Sequence, residues 1–202
     1  MVDRPGTLLE RRRDLLRRDI AAAAAALFAD QGFSETTVEQ IAERAGISVR
    51  TFYRYCQVKE DAVTAVLAEG SLSLAEAVAA QPPTGSLIED VWTVFVENFE
   101  RGEHADLQLR LARTVFTTPS LLERWVVACV SAQDALVPVL AERLGRRSTD
   151  LAVKTIAGAL ISALTAALQH SVLTGAPLGE AARTCLQIAQ NGFSAINDPG
   201  AM

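Results

Sequence analysis

The sequence predicts an all-α protein of about nine helices, in which a three-helix unit containing a helix-turn-helix precedes a larger helical unit. Three observations support this fold class. Half of the 202 residues are hydrophobic but only 5% are aromatic, and alanine and leucine dominate. Apolar residues recur at spacings of three and four, and glycine or proline separates the periodic segments. We expect the boundary between the two units after residue 57, which gives an amino-terminal unit of residues 1–57 and a carboxyl-terminal unit of residues 58–202.

The first predicted helix spans residues 10–31 and ends at Gly32, since glycine adopts the positive φ of many helix ends without strain. An alanine run at residues 21–26 lies within it. The apolar residues that surround this run fall on one helical face, which predicts a closely packed amphipathic helix. That face comprises Leu16, Ile20, Ala23, Ala24, Leu27 and Phe28.

Two short helices follow, separated by a tight turn. We expect Ser34 or Thr36 to cap the first of them, with Glu39 three residues after Thr36 suited to a capping box, and Gly46 to end it. Ser48 can accept a hydrogen bond from a free backbone N–H at the start of the second helix, which continues through Arg54. Two short helices joined by a glycine-containing turn predict a helix-turn-helix.

The second short helix has one apolar face and one polar face. Val49, Phe52 and Cys56 fall at spacings of three and four, so we expect them to face the protein. Arginine can bind the acceptor edge of guanine at two atoms, and threonine and tyrosine hydroxyls can bind phosphate, so the polar face suits a DNA major groove. The alternative is an ordinary helical hairpin with a solvated face. The polar face comprises Arg50, Thr51, Tyr53 and Arg54.

The order of residue types in residues 37–60 resembles the DNA-binding signature of the TetR family of bacterial transcriptional regulators. Two positions depart from that signature: Cys56, where the family usually has phenylalanine, and Val58, where a capping serine is frequent. The resemblance implies a homodimer that binds a palindromic operator in double-stranded DNA. The matching residues are Thr37, Ile41, Ala42, Ala45, Gly46, Ile47, Ser48, Thr51, Phe52, Tyr53, Tyr55, Lys59 and Glu60.

The resemblance and the residue chemistry together predict the DNA contacts. Thr37 and Lys59 match positions at which the family contacts phosphate. Arg50 occupies a position that varies in the family, so its predicted role as the leading base reader comes from its chemistry. The full predicted DNA surface is Thr36, Thr37, Ser48, Arg50, Thr51, Tyr53, Arg54 and Lys59.

Six further helices are predicted in the carboxyl-terminal unit, at residues 58–80, 87–101, 106–116, 119–144, 149–174 and 178–195. Pro138 is expected to kink the fourth of these. The last two are rich in small residues, which allow helices to approach closely. In TetR-like proteins the closing helices form the dimer interface, so the resemblance implies a homodimer through them. The alternative is that they only complete the core of one chain.

Aromatic and polar residues of the middle helices predict a cavity for a small hydrophobic or amphipathic effector. Simple core packing is the alternative for each aromatic residue. Residues 110–125, RLARTVFTTPSLLERW, are similar to actinobacterial TetR-like regulators that respond to fatty acyl-coenzyme A or other lipophilic molecules, which implies that Arg110 and Arg113 meet ligand phosphates. The candidate lining is Trp92, Phe95, Phe99, Leu107, Leu111, Phe116, Trp125 and Leu168, with polar anchors at His104, Arg110, Arg113, Gln133, Gln169 and His170.

Composition restricts the possible functions. We expect no enzyme, cofactor or metal site, because there is no nucleophile–base arrangement, glycine-rich phosphate loop or metal-ligand cluster, and only two histidines are present. Three widely spaced cysteines favour a reducing cytoplasm. The net charge of −5 does not indicate nucleic acid, although arginines collect near the amino terminus. We expect no membrane association, because the longest apolar stretch, residues 156–168, is too short to span a bilayer.

These features predict a ligand-responsive transcriptional regulator, most simply a repressor, that its effector releases from DNA. Two alternatives remain at this stage. The chain is a helical protein-interaction module, or it binds a small molecule without regulating DNA. Neither alternative explains the register of residues 37–60.

Overall fold

The computed structural model describes residues 8–82, 85–101 and 105–191, and these ranges hold nine α-helices, a 3-10 turn, a π-helical turn and no strand. The all-α prediction is therefore confirmed. Residues 1–7, His104 and the predicted end of the last helix near residue 195 lie outside the described residues. In chain order the elements are α1 (Leu8–Gln31), α2 (Val38–Arg44), α3 (Val49–Tyr55), the 3-10 turn (Lys59–Val63), α4 (Thr64–Ala80), α5 (Leu87–Val96), the π turn (Glu97–Arg101), α6 (Ala105–Thr117), α7 (Pro119–Arg143), α8 (Leu151–Thr174) and α9 (Leu178–Asn191).

The turn between α2 and α3 is closed by Gly46, as predicted. Its φ is +66°, a left-handed conformation that favours glycine. The Gly46 amide donates to the Glu43 carbonyl at 3.0 Å, and the Ile47 amide donates to the Ala42 carbonyl at 2.9 Å. This pair of bonds is a Schellman motif, which satisfies carbonyls at the end of α2 and directs the chain into α3.

Thr37, rather than Thr36, caps the start of α2. Thr37 Oγ1 accepts a hydrogen bond from the Gln40 amide at 3.3 Å, and Gln40 Oε1 accepts one from the Thr37 amide at 2.9 Å. This reciprocal capping box lies one residue later than predicted. The prediction of Thr36 with Glu39 was wrong because the Thr36 hydroxyl instead donates to the Gly32 carbonyl at 2.8 Å.

The apolar core forms two clusters that meet at the middle helices. The first surrounds Phe28, Ile41 and Phe52 of the amino-terminal helices and continues into α6 and α7. The second joins α4 and α5 to α6–α9. Because the first cluster continues across residue 57, the division into units 1–57 and 58–202 stays a proposal.

Several helices of the larger unit differ in detail from the prediction. The segment predicted at 58–80 opens with the 3-10 turn before α4, and the segment predicted at 87–101 changes from α5 to a π turn after Val96. Pro138 lies inside α7 and does not end that helix. The eighth helix starts at Leu151, because Asp150 Oδ1 accepts a hydrogen bond from the Ala152 amide at 2.9 Å and so caps it.

A buried arginine joins the far ends of three helices. Arg143 of α7 pairs with Asp90 of α5, whose side chain is 2% exposed. The same guanidinium donates to the carbonyls of Val78 and Gln81 at the end of α4, the latter at 2.6 Å. The pair therefore holds α4, α5 and α7 together away from the helix-turn-helix.

Length and composition alone would allow three helical segments to cross a membrane: Lys59–Ala80, Pro119–Arg143 and Leu151–Thr174. The sequence-based estimate considered only residues 156–168 and so underestimated these apolar lengths. In the fold, α4 packs against α7 and α7 packs against α8. Each of the three helices thus covers part of its apolar surface on a neighbour.

Candidate functional site

The polar face of α3 is presented to solvent. Phe52 is fully buried on the opposite face, while Arg50, Tyr53 and Arg54 are exposed, Tyr53 by 54%. Thr51 is half-buried. The predicted orientation of the helix is therefore correct, and two guanidinium groups with a phenol form an outward surface on one short helix.

The hydroxyl-bearing residues at the starts of α2 and α3 are exposed, but each hydroxyl already accepts a hydrogen bond from a backbone amide. Ser48 Oγ accepts a hydrogen bond from the Thr51 amide at 3.1 Å and lies 2.9 Å from Thr51 Oγ1. Thr37 caps α2 in the same way. Helix N-termini attract anions because their free N–H groups carry partial positive charge. Thr37 and Ser48 therefore lie where a DNA phosphate would approach.

Lys59 has a structural function that its sequence position did not reveal. Its ammonium donates to the carbonyls of Phe33 at 2.6 Å and Thr36 at 2.7 Å. It also lies 3.9 Å from the centre of the Phe33 ring. Lys59 thus ties the 3-10 turn to the segment that precedes α2. An ammonium has three N–H donors, so one remains for a phosphate.

Thr36 does not belong to the exposed surface. Only 1% of the residue is exposed, and its hydroxyl is bonded to the Gly32 carbonyl. The Gln31 side-chain amide approaches the same hydroxyl at 3.3 Å. The predicted contact of Thr36 with DNA is contradicted, because its side chain is enclosed by the turn it stabilises.

A basic groove beside α3 was missing from the predicted surface. Arg12 and Arg13 of α1 line it together with Arg54 and Tyr55 of α3. Arg54 lies 5.2 Å from the centre of the Tyr55 ring. The arginine cluster near the amino terminus is a sequence signal that would have found these residues, because α1 and α3 were both expected in the same unit.

The two departures from the TetR signature are accommodated locally. Cys56 is buried behind α3, and burial, reinforced by the negative charge of Asp61, raises the pKa of its thiol to about 11. Val58 has no side chain that can cap the 3-10 turn. Asp61 Oδ2 stabilises this turn in a different way, by accepting hydrogen bonds from the amides of Gln57 and Val58 that precede it, at 3.1 and 3.2 Å.

An apolar cavity of about 140 Å³ lies among α4, α6, α7, α8 and the junction of α5 with the π turn. Five of the eight candidate lining residues line it, namely Phe95, Phe99, Leu111, Trp125 and Leu168. Phe116 packs edge-on against Trp125, with ring centres 5.2 Å apart, and stands behind the lining. The polar lining residues Asn98, Gln108, Cys129 and Thr165 were not predicted.

Three predicted ligand residues instead link helices outside the cavity. The indole N–H of Trp92 donates to the Gly179 carbonyl of α9 at 2.8 Å. Arg110 bonds to Asp30 of α1 at 2.8 Å, and Arg113 donates to the Val172 carbonyl of α8 at 2.9 Å. None of the three lines the cavity, and their contact with a ligand stays a prediction.

The remaining predicted anchors also lie away from the cavity. Gln169 and His170 are exposed on α8, and Gln133 of α7 packs beside Gly158. Their helical faces differ from the faces that meet at the cavity. Of the predicted residues, Phe95, Phe99, Leu111, Trp125 and Leu168 therefore line the cavity, and that they contact a ligand stays a prediction.

Helices that line the cavity also hold the helix-turn-helix. From α6, Arg110 bonds to Asp30, and the Thr114 hydroxyl donates to the Phe28 carbonyl of α1 at 3.1 Å. From α7, Arg124 pairs at 2.8 Å with Asp61 of the 3-10 turn. The fourth helix continues directly from that turn. The cavity-lining helices α6 and α7 are therefore bonded directly to α1 and to the 3-10 turn.

Two family profiles and a characterised relative match this sequence. A family profile described as "Bacterial regulatory proteins, tetR family" matches residues 20–66, and one described as "MftR C-terminal domain" matches residues 85–194. The HTH-type transcriptional regulator TcmR of Streptomyces glaucescens is 32% identical over 145 residues, which cover 68% of this chain and 62% of TcmR. The chain thus spans less than two thirds of that relative.

Solved structures share the fold. Thermus thermophilus FadR, a TetR family transcriptional repressor in complex with lauroyl-CoA, aligns with a TM-score of 0.63 and 23% identity over 91% of this chain and 98% of FadR. A complex of SmeT, from Stenotrophomonas maltophilia, with triclosan aligns with a TM-score of 0.59 and 20% identity over 88% and 90% of the two chains.

An amino-terminal helix-turn-helix whose second helix has an exposed polar face, followed by a larger helical unit, is the arrangement of DNA-binding transcriptional regulators. Within that class, the chain belongs to the TetR family, whose profiles match both its amino-terminal and its carboxyl-terminal parts. The resemblance seen in residues 37–60 is confirmed. Members of this family are DNA-binding regulators rather than enzymes, as predicted.

Proposed function

We propose that this protein is a cytoplasmic, ligand-responsive repressor that binds a palindromic operator as a homodimer, without membrane association. The observation that supports it most is the outward surface of Arg50, Tyr53 and Arg54 on a helix held by the Schellman turn and the Ser48 cap. Arg50 binds the guanine edge, and Tyr53, Arg54 and Thr51 bind neighbouring bases or phosphates. Thr37, Ser48 and the third N–H of Lys59 position the phosphate backbone.

A second subunit completes the site, because one helix-turn-helix contacts only a short stretch of duplex. We assign the dimer interface to α8 and α9. Small exposed residues of α8, Ala159, Ser162 and Ala166, follow one another at spacings of three and four, and Ile188 of α9 is 44% exposed. Two such helices from each chain would form a four-helix bundle. The two recognition helices would then meet half-sites about 34 Å apart, or a multiple of that distance.

The cavity is the proposed effector site. Two proteins with the same fold were solved in complex with lauroyl-CoA, whose acyl chain is apolar, and with triclosan, an apolar aromatic molecule. An effector that binds better when the recognition helices are too far apart for the operator shifts the protein away from DNA. A 100-fold loss of operator affinity needs a differential binding energy of about 2.7 kcal/mol, which a small apolar ligand can supply.

The coupling route follows the contacts that join the cavity to the DNA-binding helices. When ligand separates α4 from α6 and α7, the bonds Arg110–Asp30 and Arg124–Asp61 transmit the displacement to α1 and the 3-10 turn. Lys59 then transmits it to the turn before α2. The recognition helix moves with that turn.

A mobility-shift assay with DNA flanking the protein's own gene tests the proposal. Wild-type protein should prefer this DNA to a scrambled fragment, and Arg50→Ala should lose about 10- to 100-fold of that preference, the usual effect of one bidentate base contact. Arg146→Ala is the matched control, because Arg146 is an exposed arginine between α7 and α8 whose ion pair with Asp150 is local. A wild-type protein that does not distinguish the fragments, or an Arg50→Ala variant equal to Arg146→Ala, would contradict the proposed function. A helical interaction module predicts the first of these results.

A further inference from the structure

The basic groove between α1 and the end of α3 has an open volume of about 500 Å³. Its α1 side is formed by residues at spacings of three and four, which lie on one face of that helix. Its α3 side includes Arg54, so the groove is continuous with the outward face of α3. The lining consists of Arg12, Arg13, Leu15, Leu16 and Asp19 of α1, facing Arg54 and Tyr55 of α3.

The protein does not neutralise the positive charge of this groove. Arg12, Arg13 and Arg54 bring three guanidinium groups and Asp19 brings one carboxylate, so the lining has a net charge of +2. Among the described side chains, none forms an ion pair with any of these three arginines. Asp19 follows Arg12 by seven residues, about 10 Å along the helix axis, so the carboxylate lies far from the basic end of the groove.

Neighbouring arginines of the same helix do have carboxylate partners. Arg17 lies 3.8 Å from Asp14, and Arg18 lies 2.5 Å from Glu69 of α4. A guanidinium without such a partner keeps all five of its N–H donors for water or for an anion that comes from outside. Arg12 and Arg13 therefore differ from the next arginines of α1 in being available to an external anion.

Arg54 connects the groove to the proposed DNA-reading surface. Its guanidinium carbon lies 5.2 Å from the centre of the Tyr55 ring, a stacking contact that restricts the side chain. The seven residues of α3 give a helix about 10 Å long, and the DNA major groove is about 12 Å wide with phosphates along both edges. When Arg50 reaches a base, the last turn of α3 therefore lies near one edge, and a bordering phosphate can enter the basic groove.

We propose that Arg12 and Arg13, together with Arg54, bind phosphates of the DNA strand that borders the major groove beside α3. Each subunit thus holds a segment of backbone between α1 and α3. Arginine suits this function because its planar guanidinium can bind a phosphate through two parallel hydrogen bonds. The inference rests on the proposed binding of DNA by α3, and it adds α1 to a DNA surface that otherwise begins at α2.

The salt dependence of DNA binding tests the inference. The full-length protein carrying both Arg12→Gln and Arg13→Gln is compared with the wild type by fluorescence anisotropy, on the operator fragment and on a scrambled duplex. The slope of log affinity against log salt should fall by about two for each half-site, since each lost phosphate contact removes about 0.9. Both DNA fragments should be weakened by the same factor, whereas Arg50→Ala reduces the preference for the operator.

A charge-matched control separates local contacts from net charge. Arg146→Gln combined with Arg147→Gln also removes two neighbouring exposed arginines, but from the segment between α7 and α8. This variant should keep the wild-type slope. Both double variants should keep the wild-type Tm within about 2 °C, because they replace exposed side chains.

Neutral backbone substitutions locate the contact on the DNA. A methylphosphonate removes one phosphate charge at a time from the operator fragment. Wild-type protein should lose about 5- to 10-fold in affinity at one or two positions beside each half-site. The variant with Arg12→Gln and Arg13→Gln should lose no affinity at those positions, because the contact is already absent.

Equal salt slopes for the two double variants would overturn the inference, as would a methylphosphonate profile of the Arg12→Gln, Arg13→Gln protein that matches the wild type. An operator preference that is lost in Arg50→Ala would still support the proposed function in that case. Conversely, a wild-type protein without operator preference, whose salt slope still falls when Arg12 and Arg13 are replaced, would support the groove as a DNA contact and contradict sequence-specific regulation.

Discussion

Lys59 is expected to stabilise the helix-turn-helix as well as contact DNA, and replacement by methionine separates the two contributions. The methionine side chain keeps an apolar stem of similar length but has no ammonium. Two bonds from a charged donor, at 2.6 and 2.7 Å, are lost together with the contact to the Phe33 ring at 3.9 Å. Hydrogen bonds to charged groups contribute about 1.5 kcal/mol each at the low end, and an exposed cation–π contact about 0.5 kcal/mol.

The two hydrogen bonds and the ring contact together contribute about 3.5 kcal/mol. Water will partly replace the lost bonds, because Lys59 is only half-buried. We therefore expect Lys59→Met to lower the free energy of unfolding by about 2–3 kcal/mol, measured by urea denaturation followed by circular dichroism. Arg50→Met is the matched control, since Arg50 is exposed and should change stability by less than about 0.5 kcal/mol. Lys59→Met should also weaken all DNA sequences together and reduce the slope of log affinity against log salt by about one.

Two results would refute this reasoning in different ways. If Lys59→Met is as stable as Arg50→Met, the ammonium does not hold the turn before α2. If stability falls but the salt slope stays at the wild-type value, Lys59 acts only within the protein and its proposed phosphate contact is wrong.

Three further predictions concern stability. Arg143→Met leaves the buried Asp90 carboxylate without its cation and should cost about 3–5 kcal/mol in urea denaturation; a loss below about 1 kcal/mol would mean that the pair is not needed. Gly46→Ala forces alanine to a φ of +66° with no neighbouring atom in its way, so thermal unfolding should report a loss of about 1 kcal/mol, and an unchanged Tm would contradict the left-handed turn. The pKa of the Cys56 thiol is raised from 9.0 to about 11 in the folded state. The stabilisation of the folded state that follows from this shift is fully present below pH 9 and is lost as pH rises through 11. Wild-type stability should therefore fall more steeply than that of Cys56→Ala between pH 9 and 11, and parallel curves would exclude this effect.

The helix-turn-helix could be predicted from sequence because its signals are local. The glycine that ends α2, the serine that caps α3 and the apolar spacing of Val49, Phe52 and Cys56 all lie within a dozen residues. Local signals failed at the start of α2, where Thr37 is the cap and not Ser34 or Thr36. The Thr36 hydroxyl bonds to the Gly32 carbonyl instead, a contact that depends on the fold of the preceding turn.

Long-range partners explain the remaining errors. The partners of Lys59 lie 23 and 26 residues earlier in the chain, and that of Trp92 lies 87 residues later, so neither spacing nor composition could reveal them. An aromatic residue on a middle helix can face the cavity or another helix, and only the packing of α5 against α9 places Trp92 outside. Gln108 had a usable signal, because it precedes Leu111 and Val115 at helical spacing and so shares their buried face.

The central claim is that the outward face of α3 lies in the DNA major groove and that Arg50 binds guanine there. Dimethyl sulfate methylates guanine N7 in the major groove, so protection of that atom on the operator fragment measures the contact directly. Wild-type protein should protect guanines in two symmetry-related half-sites, and Arg50→Ala should lose this protection at concentrations that still saturate the DNA. Equal protection by both proteins, or no protected guanine with the wild type, would contradict the account.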